Sequence, residues 1–140
     1  MAQSVVVDSS FLVALLRRDD AHHAWAAELS GRYAAPGHTC EAVLSETFFV
    51  AGPAARQPLS ELLHRGLVLC DFALRSEQTP VLALMKKYAD VPMSLADACL
   101  VRMTETLPDP LLLTTDADFC IYRRHSRQVV PCLLPRAHRP

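Results

Sequence analysis

A chain of 140 residues with 51% hydrophobic and 21% charged residues fits a single domain, 1–140, that buries its own core, and this excludes wholesale disorder. A formal net charge of −1 and a pI near 6.6 exclude a basic glove for nucleic acid, so any such binding needs a local patch or a metal. The 5 cysteines are scattered with no CxxC pair, which excludes a disulfide framework or a zinc site and points to buried thiols in a reducing, cytoplasmic setting.

Residues 4–7 (Ser-Val-Val-Val) are short, apolar and β-branched, the pattern of a buried strand. Ser9 and Ser10 are placed to cap a helix over 11–17. Asp19 and Asp20 open a second helix through 33, with His22, Trp25, Ala26 and Leu29 at helical spacing, and Pro36-Gly37 breaks it. Thr39 caps a third helix, 40–51, which Gly52-Pro53 stops. Pro58 begins a short helix to 65, closed by Gly66. Residues 67–72 form a second strand. Ser76 or Thr79 caps a helix to 88 with Pro80 in its first turn, and Ser94 caps another to 106. A third apolar strand covers 111–115, residues 117–124 turn helical, and 129–134 add an edge strand interrupted by Pro131.

No segment approaches the roughly 20 apolar residues of a membrane span, and the first residues lack the basic region of a signal peptide, so no membrane partner is expected. Continuous apolar strands alternating with helices predict an α/β fold. The expected form is a three-layer α/β/α sandwich around a central, mainly parallel sheet. In such sheets, sites form beyond the carboxyl ends of the strands.

Two acids fall at that place: Asp8 directly after the first strand and Asp116 directly after 111–115, with Asp118 two residues on. Each also reads as an ordinary helix cap. Glu46 lies in the third helix with Val43, Ala42, Phe49 and Val50 as wheel neighbours, where a lone charge is costly unless paired or bound to a cation; the other reading is a surface Glu at the edge of the apolar face. Asp97 follows Ser94-Leu95-Ala96, so it reads both as a capping-box member and as an acid held in a helix's first turn. A set of Asp and Glu without histidine or cysteine offers hard oxygen ligands suited to Mg²⁺ or Mn²⁺, which relieve the mutual repulsion and activate water for phosphodiester attack. No GxxxxGK[ST], GxGxxG or GxSxG occurs, so nucleotide-cradle and serine-hydrolase chemistry have no support.

Val5 to Leu16 resembles the opening strand and helix of PIN domains. Thr39 to Val50, 88–98 and 113–119 resemble their second, third and fourth acidic segments. Order, spacing and length are similar to VapC-type toxins of bacterial toxin–antitoxin pairs. The Pro- and Ala-rich stretch 51–58 and the total of 10 prolines depart from that pattern without touching the acids. The resemblance implies a metal-dependent endoribonuclease in which Asp8, Glu46, Asp97 and Asp116 are catalytic and Asp8, Asp97, Asp116 and Asp118 hold Mg²⁺ or Mn²⁺. Thr114 or Ser9 would assist by hydrogen bonds. It also implies an RNA substrate, a homodimer and a small antitoxin partner. Two alternatives stand beside it: a housekeeping RNA-processing nuclease of the same fold, and a catalytically silent binding module whose acids serve as caps.

Among the remaining residues, His22 and His23 point to different helix faces and read as surface or half-buried groups, and Trp25 reads as core or dimer contact rather than a base-stacking face. Met85, Met93 and Met103 read as core filler, and Lys86 and Lys87 as solvent-facing. Arg123, Arg124, His125 and Arg127, then Arg136, His138 and Arg139, form the one basic patch, which is either a solvated surface or a contact for nucleic acid.

Overall fold

A computed structural model describes residues 3–136, so His138 and Arg139 of the expected basic tail lie outside the described residues. The strands and helices alternate as expected. β1 is Ser4–Val7, α1 Ser9–Leu16, α2 His23–Arg32, β2 Gly37–Thr39, α3 Glu41–Ala51 and α4 Arg56–His64. β3 is Val68–Cys70, α5 Leu74–Lys87, α6 Leu95–Thr106 and β4 Pro110–Leu113. The chain ends with β5 Arg123–Arg124, β6 Gln128–Val129 and β7 Cys132–Leu133. No helix is long and apolar enough to cross a membrane, among the described residues.

Five strands form one parallel sheet in the order β3-β2-β1-β4-β7, with helices on both sides. Its centre is the valine run of β1, all of it buried, because β-branched side chains pack well on a pleat covered on both faces. From β1 the chain moves outward through β2 to β3, then returns to the other side of β1 as β4. The order therefore reverses between β1 and β4, and a crevice opens beyond their carboxyl ends. Val7 stands in register with Leu113, so the residues after these two strands are neighbours.

Several local expectations are corrected. Thr39 does not cap α3; it ends β2, and its hydroxyl donates to the Val7 carbonyl at 2.9 Å. α2 already ends at Arg32, before Pro36, and Gly37 begins β2. Pro80 lies inside α5 rather than in its first turn, because α5 starts at Leu74 with neither Ser76 nor Thr79 as its cap. Residues 117–124 form only a 3-10 turn, Ala117–Cys120, followed by a β5–β6 hairpin whose turn places His125 and Ser126 at positive φ (48° and 68°). The edge strand over 129–134 shortens to β7, since Pro131 lacks an amide donor; its carbonyl accepts from Leu112 N–H at 2.9 Å.

Met93 and Met103 are buried in the core and Met85 packs against it. Cys40 and Cys99 are buried as expected, whereas Cys70 and Cys120 are exposed, and all 5 thiols are free.

Candidate active site

Asp8 leaves β1 at the switch point and becomes the N-cap of α1. Its backbone N–H donates to the Leu113 carbonyl at 3.1 Å, which fixes it beside the end of β4. Its side chain is only 5% exposed and takes donors on both oxygens. Oδ1 accepts from Ser9 N at 2.7 Å and from Ser9 Oγ at 3.4 Å. Oδ2 accepts from Thr114 Oγ1 at 2.7 Å and Ser10 Oγ at 3.1 Å. Burial pushes the carboxyl up to about 6; the donors pull it down and the charge of Asp97 pushes it further up.

Thr114 ties the first and fourth acidic segments together. It donates to Asp8, and its oxygen accepts from Asp116 N at 3.0 Å. Ser10 braces the same loop by accepting from Thr115 N at 2.9 Å. Asp116 caps the 3-10 turn through Oδ1, which accepts from Asp118 N at 2.9 Å.

Asp97 enters from α6. Ser94 and Asp97 form a reciprocal capping box, with Asp97 N donating to Ser94 Oγ at 3.0 Å and Ser94 N to Asp97 Oδ2 at 3.2 Å. The same Oδ2 accepts from Tyr122 Oη at 3.1 Å. Burial again pushes Asp97 up, and the nearby charge of Asp116 adds to this. Tyr122 is itself held well above an ordinary phenol, by burial first and then by Asp97, Asp118 and Asp116.

Asp97 thus lies in the field of Asp116 and Asp8 in that of Asp97, while Asp118 is tied to Asp116 through its backbone N–H. The cap reading and the cluster reading hold together: three of the acids are caps, yet Asp97 Oδ1 and Asp116 Oδ2 have no hydrogen bond among the described residues.

Glu46 is placed differently from the expectation. It is exposed, and its neighbours Phe49 and Val50 are exposed as well, Phe49 to 87%. The buried stripe of α3 is Val43, Thr47 and Ala51, so Glu46 carries no burial cost. Of its apolar wheel neighbours, Val43 is buried and Ala42 half-buried, but Phe49 and Val50 belong to the outer face. Glu46 lines a cleft of about 250 Å³ with Ser9, Ser10, Asp20, His22 and Thr115, whose lining includes the chain neighbours of Asp8 and Asp116 but neither acid itself.

Tyr122 is the functional residue that sequence reasoning passes over. It is fully buried between Tyr88 and Phe119, with ring centroids 5.1 and 5.4 Å away. A tyrosine in an apolar stretch needs a partner for its hydroxyl when buried, and that need is the one signal available. The basic patch is largely consumed by the fold. Arg123 donates to the Cys120, Ile121 and Tyr122 carbonyls and Arg124 to the Thr104 carbonyl, while Arg127 is exposed. Lys87 reaches the Ser126 carbonyl at 3.1 Å rather than projecting freely into solvent.

All-oxygen donors with raised carboxyl groups fit a hard divalent cation in their chemistry. As the side chains stand, no group of three or more His, Cys, Asp or Glu residues among the described residues is placed to hold a metal ion. No curated protein matches the sequence. The PIN domain model matches residues 5–124, a span that holds all four acidic segments. PIN domains are typically nucleases and generally use divalent metal ions. A match over most of the chain, on a parallel sheet whose switch point gathers the acids, shows that the chain belongs to the PIN domain family.

Proposed function

We propose that this PIN domain is a metal-dependent endoribonuclease that hydrolyses RNA phosphodiester bonds, and that it serves as the toxin of a toxin–antitoxin pair. The observation that carries the nuclease reading is the burial of Asp8 at the switch point, beside Asp97 and Asp116. A cap alone needs no such burial, because an exposed Ser, Asn or Asp caps a helix without the desolvation cost. That cost is the mark of a group kept for charge, and it disfavours a silent binding module.

Asp8, Asp97, Asp116 and Asp118 would hold Mg²⁺ or Mn²⁺, which when bound supplies the positive charge that activates water and stabilises the phosphorane oxygens. Thr114 and Ser10 hold Asp8 by its Oδ2, and Tyr122 with Ser94 holds Asp97 by its Oδ2. Glu46, across the cleft, is the acceptor for a proton of the attacking water. The toxin role, the antitoxin and the homodimer rest on the order and spacing of the four acidic segments.

The test is cleavage of single-stranded RNA by the purified chain. Cleavage is expected with Mg²⁺ or Mn²⁺, with loss of at least a hundredfold in excess EDTA or in Asp97→Asn. Equal cleavage in EDTA would overturn the metal mechanism. Growth arrest on expression, relieved by co-expressing a small upstream reading frame, is expected for a toxin; its absence leaves a processing nuclease.

A further inference from the structure

A second groove, of about 1120 Å³, opens between α2 and the C-terminal segment and joins the acid cleft. The two share His22 and Thr115 as lining residues. From that junction the groove runs past Trp25 and Arg32 to Arg136. It exceeds the roughly 300–1,000 Å³ of an ordinary small-molecule pocket.

We propose that this groove is the track of a single-stranded RNA leading into the acid site, with Trp25 as the face on which an unpaired base stacks. The inference rests on the nuclease reading above and goes beyond it by naming the path. Trp25 is only half-buried, although Phe11 packs edge-on against it at 5.8 Å and His22 at 6.4 Å. Those two rings fix the indole without covering it. A rigid, partly open aromatic in a groove that also carries a cation, here Arg136, is how sequence-tolerant single-strand binding is built.

The groove's charge fits an anionic chain, and the open indole favours a nucleic-acid strand, which brings a stacking base with each phosphate, over an acidic peptide tail. Arg136 is exposed at the far end, and Glu28, the acid on the groove wall, is neutralised by Arg32 at 2.6 Å. Thr115 at the near end precedes Asp116, so a strand lying on Trp25 has its next phosphate delivered toward the acids. A duplex, whose bases are paired, has no base to offer to the indole.

Trp25 is the single tryptophan, so its fluorescence reports this groove alone. The probe is oligoadenylate added to inactive Asp97→Asn in Mg²⁺, with the same strand paired to oligouridylate as contrast. Saturable quenching by the single strand is expected, with much weaker quenching by the duplex. Arg136→Ala should weaken it severalfold. Trp25→Ala, checked for folding by circular dichroism, should weaken binding of a labelled strand by roughly 5- to 150-fold, as loss of one base stack implies.

Strand binding seen by anisotropy with unchanged tryptophan emission would overturn the groove while the nuclease reading stands. Equal quenching by duplex, or insensitivity to Arg136→Ala, would overturn it too. Quenching that follows protein concentration without RNA would give the groove to a second copy. Failure of wild-type cleavage together with failure of strand binding by every readout would sink the nuclease reading and the track with it.

Discussion

At Asp8 the competition between burial and hydrogen bonding is settled in favour of burial. Two hydroxyls and one amide make short bonds to the carboxylate, at 2.7 to 3.1 Å, yet the group still titrates near 6 rather than at the ordinary 3.8. Between those pH values the folded protein holds a proton that the unfolded chain has released. Stability of the metal-free protein should therefore fall as pH rises from about 4 to about 6, and the loss, of order 3 kcal/mol, should be complete above that window. Asp8→Asn keeps an acceptor for Ser9 N–H, and the hydroxyls of Ser10 and Thr114 can turn to accept from its amide. Its thermal midpoint in EDTA should exceed that of the native chain by several degrees at pH 8 and by little at pH 4. Scanning calorimetry at the two pH values checks this, and a lower midpoint at pH 8 would show that the carboxylate is held there at no cost. A residue that weakens the fold while charged is well suited to bind a cation, because the cation removes the penalty. This much was legible from Asp8 following a valine strand. The reason offered for Glu46 was not sound, since wheel position alone does not say which apolar face is turned inward, and α3 exposes Phe49 and Val50.

The two duties of Asp97 separate at the level of α6. As a cap, it exchanges bonds with Ser94; as a site group, it keeps Oδ1 free. Ser94→Ala removes the side-chain half of the box and should lower stability by about 1 kcal/mol while RNA cleavage stays within a few-fold. Asp97→Asn retains an acceptor for Ser94 N–H and for Tyr122, so it should leave stability nearly unchanged and abolish cleavage. Urea denaturation beside a cleavage assay on both variants decides the matter; activity loss in proportion to stability loss in both would reduce Asp97 to a cap. Elements with strongly patterned sequences were legible: β1, α3, α6 and β4 lie where a valine run, Gly52, Ser94 and a leucine run put them. β2 was not, because Gly37-His38-Thr39 is three residues long, lacks an apolar run, and is a strand only through parallel bonds to β1 and β3. The β5–β6 hairpin was hidden in the same way, since its turn rests on His125 and Ser126 taking positive φ without glycine.

Among the described residues, several of the cations on offer to a polyanion are already engaged. Arg17 pairs with Asp19 at 2.8 Å, Arg32 with Glu28 at 2.6 Å, and Arg102 with Glu77 at 2.7 Å and Glu105 at 3.2 Å. Arg123 and Arg124 spend their donors on backbone carbonyls. With a net charge of −1 and four acids at the mouth of the track, the chain cannot hold RNA by a broad phosphate clamp. Sequence composition made that plain at the outset; only the folded topology could add that β1 and β4 bring the acids to one crevice, and that α2 and the chain after β7 wall the groove leading there. Single strands lose counterions with a slope of about −0.7 in log K against log salt per phosphate neutralised. Arg136 and one further contact should give a slope between about −1 and −2 for oligoadenylate binding to Asp97→Asn, and Arg136→Ala should flatten it. Fluorescence titrations across a series of NaCl concentrations at fixed Mg²⁺ measure this directly. A slope of about −4 or steeper would mean that RNA follows another, more basic surface, and that recognition by this domain owes more to charge than to stacking and metal.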